Sequence, residues 1–295
     1  MAGIEPRWLS EMNMSVVWFD LNYRALRVTG NDAWSWLNGL VTCSVLEARG
    51  QKAVRGTLLT KQGKIQAEFY AIEHRECLVL AIAGGDVQSV LETLDSYLVM
   101  EDAEIGLADL SFSWAFGNDV VATTRRLDVD AHVCDVFALP ACLCVMDADA
   151  RARVAADPDS VEATLQQFEA LRIQSGVAKY GVDFDEADNL HGAGLERKVV
   201  DWSKGCYLGQ EVVCMQEMRG KVRKSVVGIE ASDGSALFPG ELRNDASEAV
   251  GKCTSAAGRY GLAQLRAPEN ATGTRLHLLG EGQSAGGTPV VVRTE

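Results

Sequence analysis

Asp201-Trp202-Ser203-Lys204-Gly205-Cys206-Tyr207-Leu208-Gly209-Gln210-Glu211 is the stretch that differs most from its surroundings. Glycines at 205 and 209 bracket a cysteine and a tyrosine and permit close backbone approach, and Gln210 and Glu211 are poised to open a short helix. Cys206 then lies near a helix start, where unpaired amides and the Lys204 ammonium favour the thiolate, the reactive form. A buried structural thiol within a tight turn fits the same residues equally well.

Upstream of this stretch, residues 176 to 204 carry glycines and charges without periodicity and read as a long irregular loop. A helix is expected from near Ser160, with Val161, Leu165, Phe168 and Leu171 on its buried face. Residues 147 to 160, rich in Asp and Ala, read as a surface connection. The first hundred residues alternate strand and helix signals. SVVWFDL and RALRVTG are strands, and Asn31 and Asp32 offer caps for a helix through Trp34, Leu37 and Leu40. TLLT and IQAEFYAIE flank the turn-like Lys61-Gln62-Gly63-Lys64, and CLVLAIA is a further strand. Asp86 caps a helix whose Val87, Val90, Leu91, Leu94, Tyr97 and Leu98 share one stripe. Downstream of Val222 only short strand-like runs and turns remain, as in a small all-β domain or barrel. The predicted class is α+β followed by β.

The 295 residues, 47% hydrophobic and 23% charged, have room for about two domains with sizeable cores. The net charge of −13 argues against non-specific nucleic-acid binding. No apolar run approaches the roughly 20 residues needed to span a bilayer, and MAGIEPRWLSEMNM lacks the apolar core of a secretory signal. The expectation is a cytoplasmic protein without membrane contact. Eight cysteines are too sparse for a disulfide scaffold, and Cys77, Cys134, Cys142 and Cys144 sit in apolar runs as reduced core thiols. His74, His132, His191 and His277 are scattered, so no metal site is expected. Trp8, Trp18, Trp34, Trp36 and Trp114 read as packing residues, with Trp202 set apart in the motif loop. Arg219, Lys221, Arg223 and Lys224 gather positive charge that suits an RNA phosphate, a partner protein's acidic surface or simply solvent. A cysteine-hydrolase reading would need a histidine beside Cys206, and His191 is the sequence-local candidate.

Lys-Gly-Cys-Tyr-Leu-Gly-Gln-Glu at 204–211 followed by Arg-Gly-Lys-Val at 219–222 resembles the signature of the YgfZ family of folate-binding iron–sulfur maintenance proteins. RALRVTGNDAWSWLNGLVT, LLTKQGKIQAEFYA, Leu171-Arg-Ile-Gln-Ser-Gly176 and VGKCTSA extend the likeness along most of the chain. It is also similar, more distantly, to the glycine-cleavage T-protein. The resemblance implies a ring of two α+β domains and a C-terminal β-barrel around a central folate channel. The implied division is 1–48 with 111–220, 49–110, and 221–295. It further implies Cys206 and Lys204 as the working pair, supported by Gly205, Tyr207, Gly209, Gln210 and Glu211. Tetrahydrofolate would be held by Arg172, Gln174, Tyr180, Asp183 and Arg219. Partners would be iron–sulfur client or assembly proteins.

Two departures shape the expected activity. T-proteins carry Gly-Gly-x-Ile-Asp-Asp, whereas this chain has Gln62-Gly63-Lys64-Ile65-Gln66-Ala67, so the acid of aminomethyl transfer is missing. A folate-dependent one-carbon transferase is therefore the second reading. Glu68, one pleat repeat along, reads as an exposed hairpin carboxylate. The relatives' pterin-pocket glutamate is Gln174 here, and Cys214-Met215-Gln216 replaces the usual Ala-Arg-Thr. An amide pairs less well than a carboxylate with an aminopyrimidine edge, which implies weak tetrahydrofolate binding.

Overall fold

A computed structural model describes residues 16–220, 222–280 and 287–293; Trp8 and Lys221 lie outside them. The chain forms two compact units, one of residues 1–165 with 197–210 and one of 166–196 with 211–295.

The first unit contains two five-stranded sheets. Strand β1 (Val16–Leu21) belongs to one and β2 (Arg24–Thr29) to the other, so the chain changes sheet within two residues. After helix α1 (Ala33–Asn38) come β3 (Val54–Leu59), β4 (Ile65–His74), β5 (Cys77–Gly84), helix α2 (Val87–Asp95) and β6 (Glu104–Ala108). They build a sheet in the order β3-β4-β5-β2-β6. Alternation fixes its faces. Leu26, Val28, Phe69, Leu78 and Leu80 pack with Trp34, Trp36, Leu37, Val90 and Leu94 into one core. Asp86 caps α2 as expected, accepting from Ser89 N at 2.8 Å. Asp32 does not cap α1 with its side chain; its Oδ2 accepts from Asp102 N at 2.9 Å instead.

The other sheet takes β7 (Phe112–Phe116), then helix α3 (Val120–Arg126), β8 (Asp130–Cys134), β9 (Ala141–Val145), helix α4 (Ala148–Ala156) and β10 (Ser160–Glu162), in the order β10-β1-β7-β9-β8. Two expectations are corrected here. Residues 148–156 are a helix, capped by Asp147, and residues 160–162 are a strand pairing parallel with β1. The next helix, α5, is Leu165–Gln174, and Leu165 is exposed while Leu171 is buried. Trp18, Trp34, Trp36 and Trp114 are buried, and so are Cys134, Cys142 and Cys144, with Cys77 half-buried.

The two sheets meet through aromatic rings, Tyr70 standing edge-on to Trp114 at 5.1 Å. Beside this contact lies a correction to the reading of Glu68. It is buried rather than exposed, and Arg55, also buried, reaches its Oε1 through Nε at 2.7 Å. The hairpin register explains this: Arg55 faces Tyr70 and Thr57 faces Glu68, so Arg55 and Glu68 are diagonal neighbours on one face. A second polar junction joins the sheets, where Asp130 lies between His74 (2.5 Å) and His132 (3.2 Å). Burial raises the Asp130 pKa, but hydrogen bonds with His132 and His74 outweigh it and hold the carboxyl below its usual 3.8. A depressed carboxyl pKa stabilises the fold above the unfolded value and ceases to do so as pH falls through the folded one. Urea denaturation should therefore show the gap between wild type and Asp130→Asn closing below about pH 3.8. A gap of constant size would show that the carboxylate contributes nothing.

In the second unit, α5 is followed by the short helix α6 (Leu190–Ala193); α7 (Glu196–Val199) falls in the first unit from Arg197 onward, and α8 (Gln210–Arg219) then leads into the barrel. Strands β11 (Lys224–Ala231), β12 (Gly240–Arg243), β13 (Ala249–Ala257), β14 (Tyr260–Arg266), β15 (Arg275–Leu279) and β16 (Thr288–Val292) close in the order β11-β14-β13-β12-β15-β16. The barrel interior is filled by residues such as Ile229, Leu242, Cys253, Leu265 and Leu278. The expected division of the chain differs from this arrangement. Residues 24–48 contribute β2 and α1 to the sheet of 49–110, because β2 pairs with β5 and β6. Among the described residues no helix is long and apolar enough to cross a membrane.

Candidate functional site

The motif stretch lies on the first unit as a clamped turn. Lys204 is half-buried, and its Nζ donates to the carbonyls of Asn38 (2.5 Å), Val41 (2.7 Å) and Cys43 (2.8 Å). Three acceptors satisfy the three donors of an ammonium. Lys204 is thus a tripod under the turn. Burial pushes its pKa down, against the pull of Cys43 and Asp201. The backbone is tied at both ends of the turn, Asp201 N to Thr42 O at 3.1 Å and Leu208 N to Leu40 O at 3.2 Å. Tyr207 is buried, with the Lys204 ammonium 5.8 Å from its ring centre.

Gly209 explains its own presence. Its φ is +75°, and a Cβ there would lie 2.6 Å from Thr60 O. At Gly205, by contrast, a Cβ would meet nothing within 4 Å. Gly209→Ala is expected to cost about 1–3 kcal/mol, while Gly205→Ala stays within about 1 kcal/mol; urea titration of both compares them directly. Equal losses would mean that the turn does not dock as described.

What this scaffold presents is Cys206. It is exposed, as is Trp202, whereas Cys43, Cys134, Cys142, Cys144 and Cys253 are buried and Cys77 and Cys214 half-buried. The structural-thiol alternative for Cys206 therefore loses its premise, burial. Burial pushes the Cys43, Cys134 and Cys253 thiols up to about 12 and the Cys142 thiol to about 11. Helix α8 begins at Gln210, four residues after the cysteine, and the Gln210 amide donates to Tyr207 O at 3.3 Å. Cys206 is consequently outside the first turn of that helix.

The expected folate residues lie in the second unit, where most have internal partners. Arg172 is buried and spends its guanidinium on Glu169 (Nε, 2.7 Å), Asp183 (2.9 Å), Val177 O (3.1 Å) and Ser255 Oγ (2.8 Å). Asp183 accepts in addition from Lys179 N, Thr254 Oγ1 and Ser255 Oγ at 2.9, 2.5 and 2.7 Å. Both side chains stitch the 177–184 loop to α5 and β13, so neither has capacity left for a ligand, contrary to expectation. Tyr180 is half-buried, packs edge-on to Phe184 and donates to Glu186 at 3.3 Å. Burial, then the Glu186 charge, pushes its hydroxyl up to about 12. Arg219 is exposed at the last position of α8.

Gln174 is different. Its Oε1 is buried with no hydrogen-bond partner among the described residues, while its backbone carbonyl is held by Arg293 at 3.3 Å. An orphaned buried acceptor invites a donor from a ligand. Sequence reasoning did not identify Arg293, Glu169 or Ser255, although Ser255 lies in the VGKCTSA run. His191, buried on α6, faces Gln216 Oε1 with Nδ1 (3.2 Å) and Glu217 Oε2 with Nε2 (3.0 Å), leaving no ring nitrogen for a cysteine-hydrolase role. Lys224 pairs with Asp188 at 2.9 Å. Among the described residues no group of three or more His, Cys, Asp or Glu is placed to hold a metal ion.

On the β3–β4 hairpin, Gln66 binds α2 through its amide, donating to Ser89 O at 3.2 Å and Thr93 Oγ1 at 2.6 Å. Ala67 is fully buried and Glu68 is committed to Arg55. None of these three offers an available carboxylate.

No protein-family model matches the chain. The tRNA-modifying protein YgfZ of Vibrio atlanticus (strain LGP32) is 22% identical over 277 residues, 88% of this chain and 82% of its own. The protein of the same name from Vibrio vulnificus (strain YJ016) is 23% identical over 214 residues, 68% of this chain and 65% of its own. The mitochondrial iron-sulfur cluster assembly factor IBA57 homolog of Mycosarcoma maydis is 30% identical over 151 residues, 39% of this chain and 36% of its own. Among solved structures, glycine cleavage system aminomethyltransferase T from Bartonella henselae matches with a TM-score of 0.81 at 14% identity, over 95% of this chain and 86% of that one. The fold is that of aminomethyltransferase T. In its motif and over most of its length the chain is similar to the YgfZ proteins.

Proposed function

We propose that this chain is a folate-binding accessory factor that supports iron–sulfur chemistry linked to tRNA modification, with Cys206 as its functional thiol. The observation that carries this reading is the exposure of Cys206 on a turn held rigid by the Lys204 tripod and the Gly209 contact. The names of the relatives, one a tRNA modifier and one a cluster assembly factor, support the setting. Tetrahydrofolate would supply a one-carbon carrier. Of this chain's residues, Gln174 offers it the buried amide oxygen, and the saturation of Arg172 and Asp183 is in keeping with weak binding. Partners are cluster-assembly or client proteins that meet the thiol.

The test has two arms. Partial alkylation mapped by mass should label Cys206 before the other seven cysteines, and Cys206→Ser should fold normally yet fail to restore a cluster-dependent tRNA-modifying enzyme in cells lacking the protein. Full restoration by the serine variant removes the thiol from the function. Calorimetry with tetrahydrofolate should give weak binding that Gln174→Glu strengthens about tenfold, roughly one charge-assisted hydrogen bond. Weaker binding by the glutamate variant would place the pterin elsewhere. One-carbon transfer is the second reading, favoured by the T-protein fold. Aminomethyl transfer by the wild type would promote it to first place.

A further inference from the structure

A pocket of about 380 Å³ opens on the helix-covered face of the β10-β1-β7-β9-β8 sheet, between that sheet and α4. Its walls are apolar: Trp18 and Met146, both buried, with Val154 and Val161. The floor is fixed by cross-strand pairing, since Asp20 of β1 lies directly opposite the buried Ser113 of β7. The Asp20 carboxylate accepts from Ser113 Oγ on one oxygen and from the Arg151 guanidinium of α4 on the other. Trp18 is held in turn, donating through Nε1 to Ser160 Oγ at 3.0 Å. Both the aromatic wall and the polar floor are therefore positioned before any ligand arrives.

The balance of charge selects the ligand class. Two carboxylates, Asp20 and Glu162, face one guanidinium in this lining, and Arg151 already neutralises Asp20. The charge left over is that of Glu162, exposed at the end of β10. A cavity with an aromatic wall and one surplus negative charge suits a molecule with an apolar body and a cationic end. At about 30 Å³ per water-sized group, the volume holds on the order of a dozen heavy atoms. We propose that this pocket binds small arylalkyl or alkyl ammonium compounds, with Glu162 taking the ammonium and Trp18, Met146 and Val154 the apolar body. The site shares no residue with the Cys206 turn and does not include Gln174, and it does not depend on the function proposed above.

Three probes that share a phenylethyl body decide the class: 2-phenylethylamine, 2-phenylethanol and 3-phenylpropionate, titrated into the full-length protein while the Met146 methyl and Trp18 indole resonances are followed. The amine should shift both signals with a dissociation constant near or below about 1 mM, at least tenfold tighter than the alcohol, with the propionate weaker still. Glu162→Gln should bring amine and alcohol affinities within about threefold of each other. Ala155→Trp, a bulky change at an exposed helix position on the rim, should abolish binding of all three while leaving the melting temperature near that of wild type. Equal affinity for amine and alcohol, an unchanged amine affinity in Glu162→Gln, or no shift at 10 mM probe (roughly the weakest binding worth assigning to a site) would each overturn the proposal.

Discussion

Asp183→Ala should destabilise the protein by about 3–5 kcal/mol, a large share of the roughly 5–15 kcal/mol that holds a typical domain together. The carboxylate is fully buried and meets Arg172, Lys179 N, Thr254 and Ser255, so its removal leaves a buried guanidinium short of charge and several donors unmatched. Glu169, 2.6 Å from Arg172, softens the loss without replacing it, because it reaches a different edge of the guanidinium. Asp183→Asn keeps the shape and some acceptor capacity and should fall between the two. Urea denaturation of the three proteins ranks them. A loss below about 1 kcal/mol in the alanine variant would mean that Glu169 alone sustains Arg172.

Arg55→Met is expected to cost a similar amount, about 3–5 kcal/mol, for the converse reason: it strands the Glu68 carboxylate between two sheets. The pair is almost solvent-free, with side chains 3% and 5% exposed, so water cannot take the place of the lost partner. Replacing both residues, as in Arg55→Met with Glu68→Leu, should recover most of the loss, since a packed apolar pair avoids the desolvation that the ion pair has to offset. A double variant no more stable than Arg55→Met would locate the damage in packing around Tyr23 and Tyr70 rather than in charge.

How far the sequence foretold these features depended on the distance over which each is determined. The 54–74 hairpin and its glycine turn, the Asp86-capped helix and the terminal barrel all follow from local alternation, periodicity and turn chemistry, and they are present as read. Helix α4 was obscured because ADARARVAA has no apolar stripe; it buries only Ala150, and a cap with favourable propensity sustains it. Strand β10 is three residues long and pairs in parallel with β1, more than a hundred residues away, so Val161 looked like the start of a helix. At the site, residue types left the exposure of Cys206 as one of two equal alternatives, but the glycine turn was legible. The role of Lys204 was not, because its three acceptors come from residues 38–43. The internal partners of Arg172 were not legible either, because Ser255 lies 83 residues from it in sequence. The Arg55–Glu68 pair was hidden, because a bulge between Leu58 and Leu59 breaks any register counted outward from Gly63.

The Lys204 tripod also sets a timetable for synthesis. Its ammonium closes on the Asn38 carbonyl across 166 residues of chain. At about 5–20 residues per second, a ribosome needs on the order of ten seconds or more to supply the lysine after the carbonyl has emerged. Through that interval the Asn38, Val41 and Cys43 carbonyls stand without their cation. The Cys206 turn is therefore assembled late, and a nascent chain interrupted before residue 204 displays no positioned thiol.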